Sequence, residues 1–249
     1  MRKIYFLFVA LLLTLSAGAQ TLRGDVNGDG EVNVVDVTAV VKAILNGSNT
    51  PVVPDEPATD SRAIDLGLSV KWASCNVGAT APEEFGGYYA WGETEEKEDY
   101  SWSTYKYCNG SYDSMTKYCT DSYDGTIDNK TTLEPEDDVA HVQWGGSWRM
   151  PTKAEQDELR NNCTWNWTTL NGVNGYRITG PNGNSIFLPA AGYRDGSEVY
   201  YQGYCGHYWS SSLSSDSSYD ACGLAFYSSG YDWDSGLRYL GQSVRPVSE

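Results

Sequence analysis

One stretch of twelve residues, 25–36, restricts the folds open to this chain more than any other feature. It reads Asp-Val-Asn-Gly-Asp-Gly-Glu-Val-Asn-Val-Val-Asp. A loop of this length, with oxygen-bearing groups at this spacing, supplies the roughly six to eight ligands that Ca²⁺ takes. The predicted ligands are Asp25, Asn27, Asp29, the carbonyl oxygen of Glu31, Asn33 (directly or through water) and Asp36. Because converging carboxylates repel one another, we expect this loop to fold around a calcium ion.

The residues around these ligands agree with a calcium loop followed by a helix. Gly30 occupies the sixth position, where the chain must turn sharply, and Val32 at the eighth is apolar. Apolar residues then recur with helical spacing up to Leu45, and Asn46-Gly47 is a stop signal.

The segment from residue 24 to residue 45 resembles a dockerin repeat, a module that docks enzymes and binding proteins onto cohesin domains at bacterial cell surfaces. The resemblance implies a cohesin-like partner, contacted by the residues at loop positions 10 and 11, Val34 and Val35. Dockerins usually carry two such loops, whereas one is found here. A single loop and helix is too short to bury much core. We expect it to rest on the domain behind it, to fold only with calcium, or to pair with another chain.

The N-terminus has the three parts of a secretory signal peptide. Arg2 and Lys3 precede an apolar stretch at residues 4–15, and small residues at 17–19 provide a cleavage site. That stretch falls short of the roughly 18 to 20 residues that span a bilayer, and we find no later spanning run. Cleavage near residue 19 predicts a secreted or cell-surface protein without a membrane span in the mature chain.

Composition divides the remaining chain and excludes one class of partner. Residues 20–47 form the dockerin-like arm, 48–61 a proline-rich linker, and 62–249 one large domain. The formal net charge is −16, and removal of the signal peptide makes it more negative. A chain this acidic has no basic surface for a phosphate backbone, so nucleic-acid binding is excluded.

Six cysteines in an exported chain favour disulfides. They are Cys75, Cys108, Cys119, Cys163, Cys205 and Cys222. Cys108 with Cys119, and Cys205 with Cys222, are near enough in the chain to close local loops. The other two would form a long-range pair or remain buried thiols, and the sequence leaves the pairing open.

The large domain shows an α+β pattern. Short strands are predicted on either side of Gly67, and an irregular tyrosine-rich insertion at 93–128. Helices are predicted at 134–142 and, behind a capping box at Thr152, to about residue 162. Further strands are predicted at 176–179, 185–189, 207–211, 223–227 and 243–247. Early helices followed by a strand-rich half are typical of α+β folds.

Five phrases in this domain resemble a known family. They are Asp-Leu-Gly-Leu-Ser-Val-Lys-Trp-Ala at 65–73, Gly-Gly-Ser-Trp-Arg-Met-Pro-Thr at 145–152, Phe-Leu-Pro-Ala-Ala-Gly-Tyr-Arg at 187–194, Tyr-Trp-Ser-Ser at 208–211 and Ser-Val-Arg-Pro-Val at 243–247. Together they are similar to the Fibrobacter succinogenes major paralogous domain, a secreted family related to the C-type-lectin-like fold and to formylglycine-generating enzymes. The resemblance implies a C-type-lectin-like fold for residues 62–249 and says little about activity.

The C-terminal part has the composition of a binding surface. Residues 193–239 hold nine of the 19 tyrosines and are rich in serine and glycine. Tyrosine gives stiff, amphipathic contact area, and flat aromatic faces also stack on sugar rings. We expect ligand contact from the tyrosines in loop contexts, which are Tyr200, Tyr201, Tyr204, Tyr219 and Tyr231.

These observations predict a non-enzymatic, calcium-binding protein that recognises a glycan or a protein. No nucleophile-and-base arrangement or metal cage indicates catalysis in the sequence. The competing interpretation is an enzyme, or an enzyme-associated module, related to formylglycine-generating or polysaccharide-degrading systems. A third makes the large domain purely structural.

Overall fold

The structure of this protein is a computed structural model that describes residues 61–249. The chain divides into two units between residues 60 and 61. The predicted signal peptide, calcium loop, partner-docking valines and nearly all of the linker lie outside the described residues. The fold and the candidate site are therefore those of the second unit, residues 61–249.

Short antiparallel strands make up most of the regular structure. In chain order they are β1 (Ala63–Ile64), β2 (Lys71–Ala73), β3 (Thr164–Leu170), β4 (Val173–Thr179), β5 (Ser185–Pro189), β6 (Tyr193–Asp195), β7 (Glu198–Tyr200), β8 (Cys205–Leu213), β9 (Asp220–Tyr227), β10 (Gly230–Leu237) and β11 (Val247–Ser248). They form three three-stranded sheets, ordered β1-β2-β11, β3-β4-β5 and β10-β9-β8, and the two-stranded β6-β7 hairpin. In the first sheet β2 is central, so strands from the two ends of the domain flank it.

Two α-helices occur in the described residues, α1 (Val139–Trp144) and α2 (Lys153–Asn162). A 3₁₀ helix, Pro135–Asp137, precedes α1, and the Asp138 side chain caps α1 by accepting from two backbone N–H groups. The capping box predicted at Thr152 is confirmed, because its hydroxyl accepts from Glu155 N while the Glu155 side chain accepts from Thr152 N. Neither helix is long and apolar enough to cross a bilayer.

The predicted α+β, C-type-lectin-like fold is wrong. The described chain is mostly β, in several small antiparallel sheets, and its two short helices do not give the helix-plus-strand layout of a C-type lectin. The prediction failed because segments read as loops are strands. In β3, Trp165 and Trp167 alternate with polar residues, which is the period of a half-buried strand. β10 was expected to be a binding loop, and it pairs with β9 along its whole length.

Other strand predictions agree with the structure in part. The strand at 185–189 is found with those bounds, and those at 176–179, 207–211 and 223–227 are contained in longer strands. The strand predicted at 243–247 is largely absent, because β11 begins only at Val247. The β6-β7 hairpin was not predicted.

The segment predicted as an irregular insertion is part of the core. Tyr105, Tyr107 and Tyr118 are buried in one apolar cluster with Trp91 and Trp209. A second cluster packs α2 against the β3-β4-β5 and β8-β9-β10 sheets. The two clusters include Ala191 and Ala190, which lie just before the β6-β7 hairpin, and so anchor its start to the core.

The fully buried Arg238 fastens this segment to the C-terminal part. Its guanidinium donates to the carbonyl oxygens of Lys117, Tyr118 and Ser218, and its Nε donates to the Tyr105 hydroxyl. These hydrogen bonds provide donors for backbone carbonyl groups that lie outside the sheets and would otherwise be buried without a partner.

Candidate functional site

The candidate site is built on the β6-β7 hairpin. Tyr193 pairs with Tyr200, and Asp195 with Glu198, so Gly196 and Ser197 form a two-residue turn. Gly196 has a φ of 56°, a backbone conformation that two-residue hairpin turns use. Side chains alternate between the two faces of a strand, so Tyr193, Asp195, Glu198 and Tyr200 share one face. Acids and aromatic rings therefore lie side by side.

The turn after the hairpin holds Tyr201 in an unusual conformation. Its φ is 55°, in the left-handed region that non-glycine residues rarely adopt. The turn is fixed because Gly203 N donates to Ala190 O at 2.7 Å and Cys205 N donates to Tyr201 O at 3.1 Å. A Cβ at Gly192 would lie 2.0 Å from Tyr200 O, so only glycine allows this close approach. A strained residue on a rigid turn is typical of functional sites.

Five rings in mutual contact form what we call the tyrosine patch: Tyr193, Tyr200, Tyr201, His207 and Tyr227. Tyr193 stacks on Tyr200 with ring centroids 5.8 Å apart and meets Tyr201 at 6.2 Å. The His207 ring lies edge-to-face with Tyr193 at 5.1 Å and with Tyr227 at 6.3 Å. The patch therefore joins the hairpin to strands β8 and β9.

Much of this aromatic surface is open to solvent. The exposed fractions are 42% for Tyr200, 60% for Tyr201 and 51% for Tyr227, and Tyr204 in the same turn reaches 74%. A set of exposed tyrosines held by rigid backbone can bind a ligand without first being ordered.

His207 forms the polar floor of the patch and is only 9% exposed. Its Nδ1 lies 2.9 Å from Oδ2 of Asp234, and this hydrogen bond holds the pKa of the Asp234 carboxyl below its usual range. A carboxylate can only accept, so Nδ1 carries the shared proton, and in the imidazole tautomer with that single proton Nε2 is an acceptor. Nε2 is buried and has no hydrogen-bond partner among the residues that the structure describes.

The patch lies in a negative field. Burial, followed by neighbouring acidic groups including Asp195, raises the pKa of Tyr193. Burial, followed by groups including Asp234, raises the pKa of Tyr227. Arg194 alternates with Tyr193 and so lies on the other face of the hairpin, where it donates to the carbonyl oxygens of Lys97 and Ser197.

The five tyrosines predicted as ligand contacts do not form one surface. Tyr200, Tyr201 and Tyr204 come together at the hairpin and its turn. Tyr219 packs against the first apolar cluster and meets Tyr112 edge-to-face at 5.5 Å. Tyr231 stacks on Trp165 at 4.2 Å, beside the second cluster.

Four residues of the site were not predicted from the sequence: Tyr193, His207, Tyr227 and Asp234. The alternation in β8, which places Cys205 and His207 on one face and Tyr208 on the other, was a usable signal for His207. Nothing in the sequence shows that the hairpin lies against that face.

The predicted disulfides are absent from the structure, in which all six cysteines are free. The thiols of Cys108 and Cys119 approach carbonyl oxygens of Trp102 and Asp121, each in its own segment, rather than each other. Burial raises the pKa of Cys205 to about 11 and also raises that of Cys222. Neither thiol is thus activated in the way that the formylglycine-generating interpretation requires.

No group of three or more His, Cys, Asp or Glu side chains in residues 61–249 is placed to hold a metal ion. The predicted calcium ligands, from Asp25 to Asp36, lie outside the described residues. Their donor set nevertheless suits a hard cation, since it consists entirely of carboxylate, amide and carbonyl oxygens.

Comparison with known proteins gives one family match. Residues 23–65 match the dockerin type I domain family. The matched segment includes the predicted calcium loop and reaches just beyond β1. Dockerin domains are non-catalytic assembly modules that typically bind calcium and bind cohesin partners. No curated protein and no solved structure matches the chain, so the resemblance to the Fibrobacter major paralogous family has no support from relatives. The chain is therefore similar to dockerin type I domains over residues 23–65.

Proposed function

We propose that this chain is an exported, non-enzymatic binding protein in which a calcium-loaded dockerin segment attaches a glycan-binding β domain to a cohesin-bearing partner. The tyrosine patch is the observation that carries the glycan-binding role. A signal peptide at residues 1–19 would direct the chain to the cell surface or the medium and would be cleaved during export. The dockerin match supports this location, because such modules are usually extracellular.

The attachment role rests on residues 23–65. Asp25, Asp29 and Asp36 supply the charge that holds the calcium ion, and the ion in turn allows the loop to close. Val34 and Val35 are apolar side chains within that loop and are the proposed cohesin contacts.

A glycan suits the tyrosine patch better than a protein does. The four exposed tyrosines at the site present on the order of 450 Å² of surface, given roughly 200 Å² for a whole tyrosine side chain. A stable protein interface covers about 800 Å² on each partner. A single sugar chain needs less area, and its rings stack on flat aromatic faces.

A glycan and protein array tests the patch. The intact chain is compared with a Tyr200→Ala/Tyr201→Ala double variant and with Tyr123→Ala as a matched control. Tyr123 is 87% exposed and lies outside the patch. We expect glycan binding to be lost in the double variant and kept in the control. Equal binding by all three chains would overturn the proposal, and capture of proteins alone would replace the glycan with a protein ligand.

Calorimetry tests the calcium loop. We expect a saturable heat of Ca²⁺ binding in the intact chain and its loss in Asp25→Ala and in Asp36→Ala. A matched control is Asp113→Asn, an exposed carboxylate of the second unit. An intact chain that gives no heat would refute the site.

A further inference from the structure

We infer that the tyrosine patch selects an uncharged sugar ring, which stacks on the tyrosines and donates one hydroxyl to Nε2 of His207, and that it rejects acidic sugars. This inference rests on the proposed glycan-binding function and specifies which glycans the site takes. Two independent features carry it: the unpartnered nitrogen at the floor of the patch, and the sign of the charges that share its face.

The unpartnered nitrogen favours a hydroxyl-bearing ligand. Nδ1 of His207 is directed across the sheet to Asp234 on β10, and Tyr193 of the hairpin packs edge-to-face against the same ring. Nε2 of that ring is buried and without a hydrogen-bond partner among the described residues. A buried acceptor without a hydrogen bond costs free energy, which a donor from a ligand would recover. Sugar hydroxyls are donors of this kind.

A sugar hydroxyl can reach this nitrogen by moving an exposed side chain. Tyr201 and Tyr227 are each more than half exposed, and Tyr227 lies against the His207 ring. Rotation of exposed aromatic side chains needs no change in the strands that carry them. Nε2 would therefore act as a specificity group that a ligand reaches when one of these tyrosines rotates.

The charges around the patch exclude acidic sugars. Asp195 and Glu198 share the tyrosine face of the hairpin, and Asp234 lies behind His207. The nearest arginine in sequence, Arg194, lies on the opposite face and is bound to two carbonyl oxygens. A uronic acid or a sulfate would meet these three carboxylates, while the Arg194 guanidinium is bound on the opposite face.

Calorimetric titration with defined oligosaccharides tests this selectivity. The neutral probes are cellohexaose, xylohexaose and mannohexaose, and the acidic probe is hexagalacturonate. We expect at least one neutral probe to bind, with little dependence on salt, and the acidic probe to bind at least about tenfold more weakly. A double variant, Asp195→Asn/Glu198→Gln, should bind the acidic probe more tightly and the neutral probes as before. The difference in affinity between the two kinds of probe should therefore become smaller.

Two measurements test the role of His207. His207→Phe keeps an aromatic ring but removes both nitrogens, and we expect it to lower the affinity for the neutral probe about tenfold. His141→Phe is the control at the only other histidine. In the unsubstituted chain, the ring ¹⁵N resonances of His207 should shift when the probe is added, whereas those of His141 should not, so the result does not depend on folding of the variant.

The outcomes separate this inference from the function on which it rests. If hexagalacturonate binds as tightly as the neutral probes, or if a bound neutral probe leaves the His207 resonances unchanged, the inference is overturned while the glycan-binding role stands. If the Tyr200→Ala/Tyr201→Ala variant binds the neutral probe as the intact chain does, the proposed site itself is wrong. Failure of every probe to bind counts against both.

Discussion

Nε of Arg245 donates to Oδ1 of Asn76 at 2.8 Å, joining two buried residues that are 169 positions apart in the chain. The same guanidinium donates to Ala73 O at 2.9 Å and to Phe187 O at 2.8 Å. Complete burial lowers the pKa of Arg245 to about 10. Arg245 therefore links the end of β2 and the middle of β5 to the chain that leads into β11.

Replacement of Arg245 by lysine should destabilise the domain. Lysine cannot reproduce the planar fork, so at least one buried acceptor loses its partner, at a cost of about 3 kcal/mol. We expect a lower urea midpoint for Arg245→Lys and an unchanged one for Arg177→Lys, whose side chain is exposed. Equal midpoints for the two variants would contradict this role.

Asp137 should stabilise the domain above about pH 4. Burial raises its pKa, but hydrogen bonds from Lys117, Tyr107 and Tyr118 outweigh that effect and lower the pKa to about 2. Because the folded-state pKa is below that of the unfolded chain, the stabilisation of about 2 kcal/mol is present at neutral pH and is lost as pH falls from about 4 to about 2.

An Asp137→Asn variant tests this pH-dependent stabilisation. We expect a lower urea midpoint than in the unsubstituted chain near pH 7, and a smaller further loss on acidification. Asp113→Asn, at an exposed position, is the control. An Asp137→Asn chain with the same acid sensitivity as the parent would show that another group is responsible.

The buried tyrosines should make the domain unstable to alkali. Burial raises the pKa of Tyr100 to about 12 and raises those of Tyr105 and Tyr208 further. The unfolded chain loses these protons near pH 10 while the folded chain keeps them, so stability falls as pH rises above about 10. Tyrosinate absorbance and circular dichroism should change together, and Tyr208→Phe should lessen the alkaline loss. Complete ionisation of the tyrosines in a still-folded chain would refute this.

Glycine and alanine at position 201 should differ in their effect on the stability of the domain but not in their effect on glycan binding. Glycine adopts the left-handed conformation freely, whereas alanine retains a cost of about 1 kcal/mol there. We expect Tyr201→Gly to be more stable than Tyr201→Ala by that amount in urea unfolding, and both to bind glycan weakly. If the alanine variant is the more stable of the two, the turn does not have this conformation.

All six cysteines should react as free thiols once the chain is unfolded. In the native domain four are buried, and burial also raises the pKa of the partly buried Cys163 to about 11, so native reaction should be slow. Titration with a thiol reagent in denaturant, without reductant, should give six equivalents. A count of four or fewer would establish at least one disulfide.

The sequence predicted local structure well where one residue pattern decides it. The capping box at Thr152 and the strand at 185–189 are examples, since each depends on neighbours within a few residues. The alternation of Trp165 and Trp167 with polar residues is an equally local pattern, and it is typical of the half-buried strand that β3 forms.

The candidate site could not be predicted in the same way, because it is assembled from distant segments. The sequence pointed to Tyr200, Tyr201 and Tyr204 by composition, and the structure places them together at the end of β7 and in the turn that follows it. It gave no sign that Tyr231 stacks on Trp165, or that His207 and Asp234 meet across β9. Those relationships depend on sheet register and on the packing of the hairpin.

The central position of β2 has a consequence for the order in which the domain forms. One edge of β2 pairs with β11, which is far away along the chain, at residues 247–248. A polypeptide that emerges N-terminus first cannot complete this sheet until Val247 and Ser248 have emerged, so the sheet closes late in the synthesis of residues 61–249. Premature termination would leave an unpaired strand edge, which is prone to aggregation.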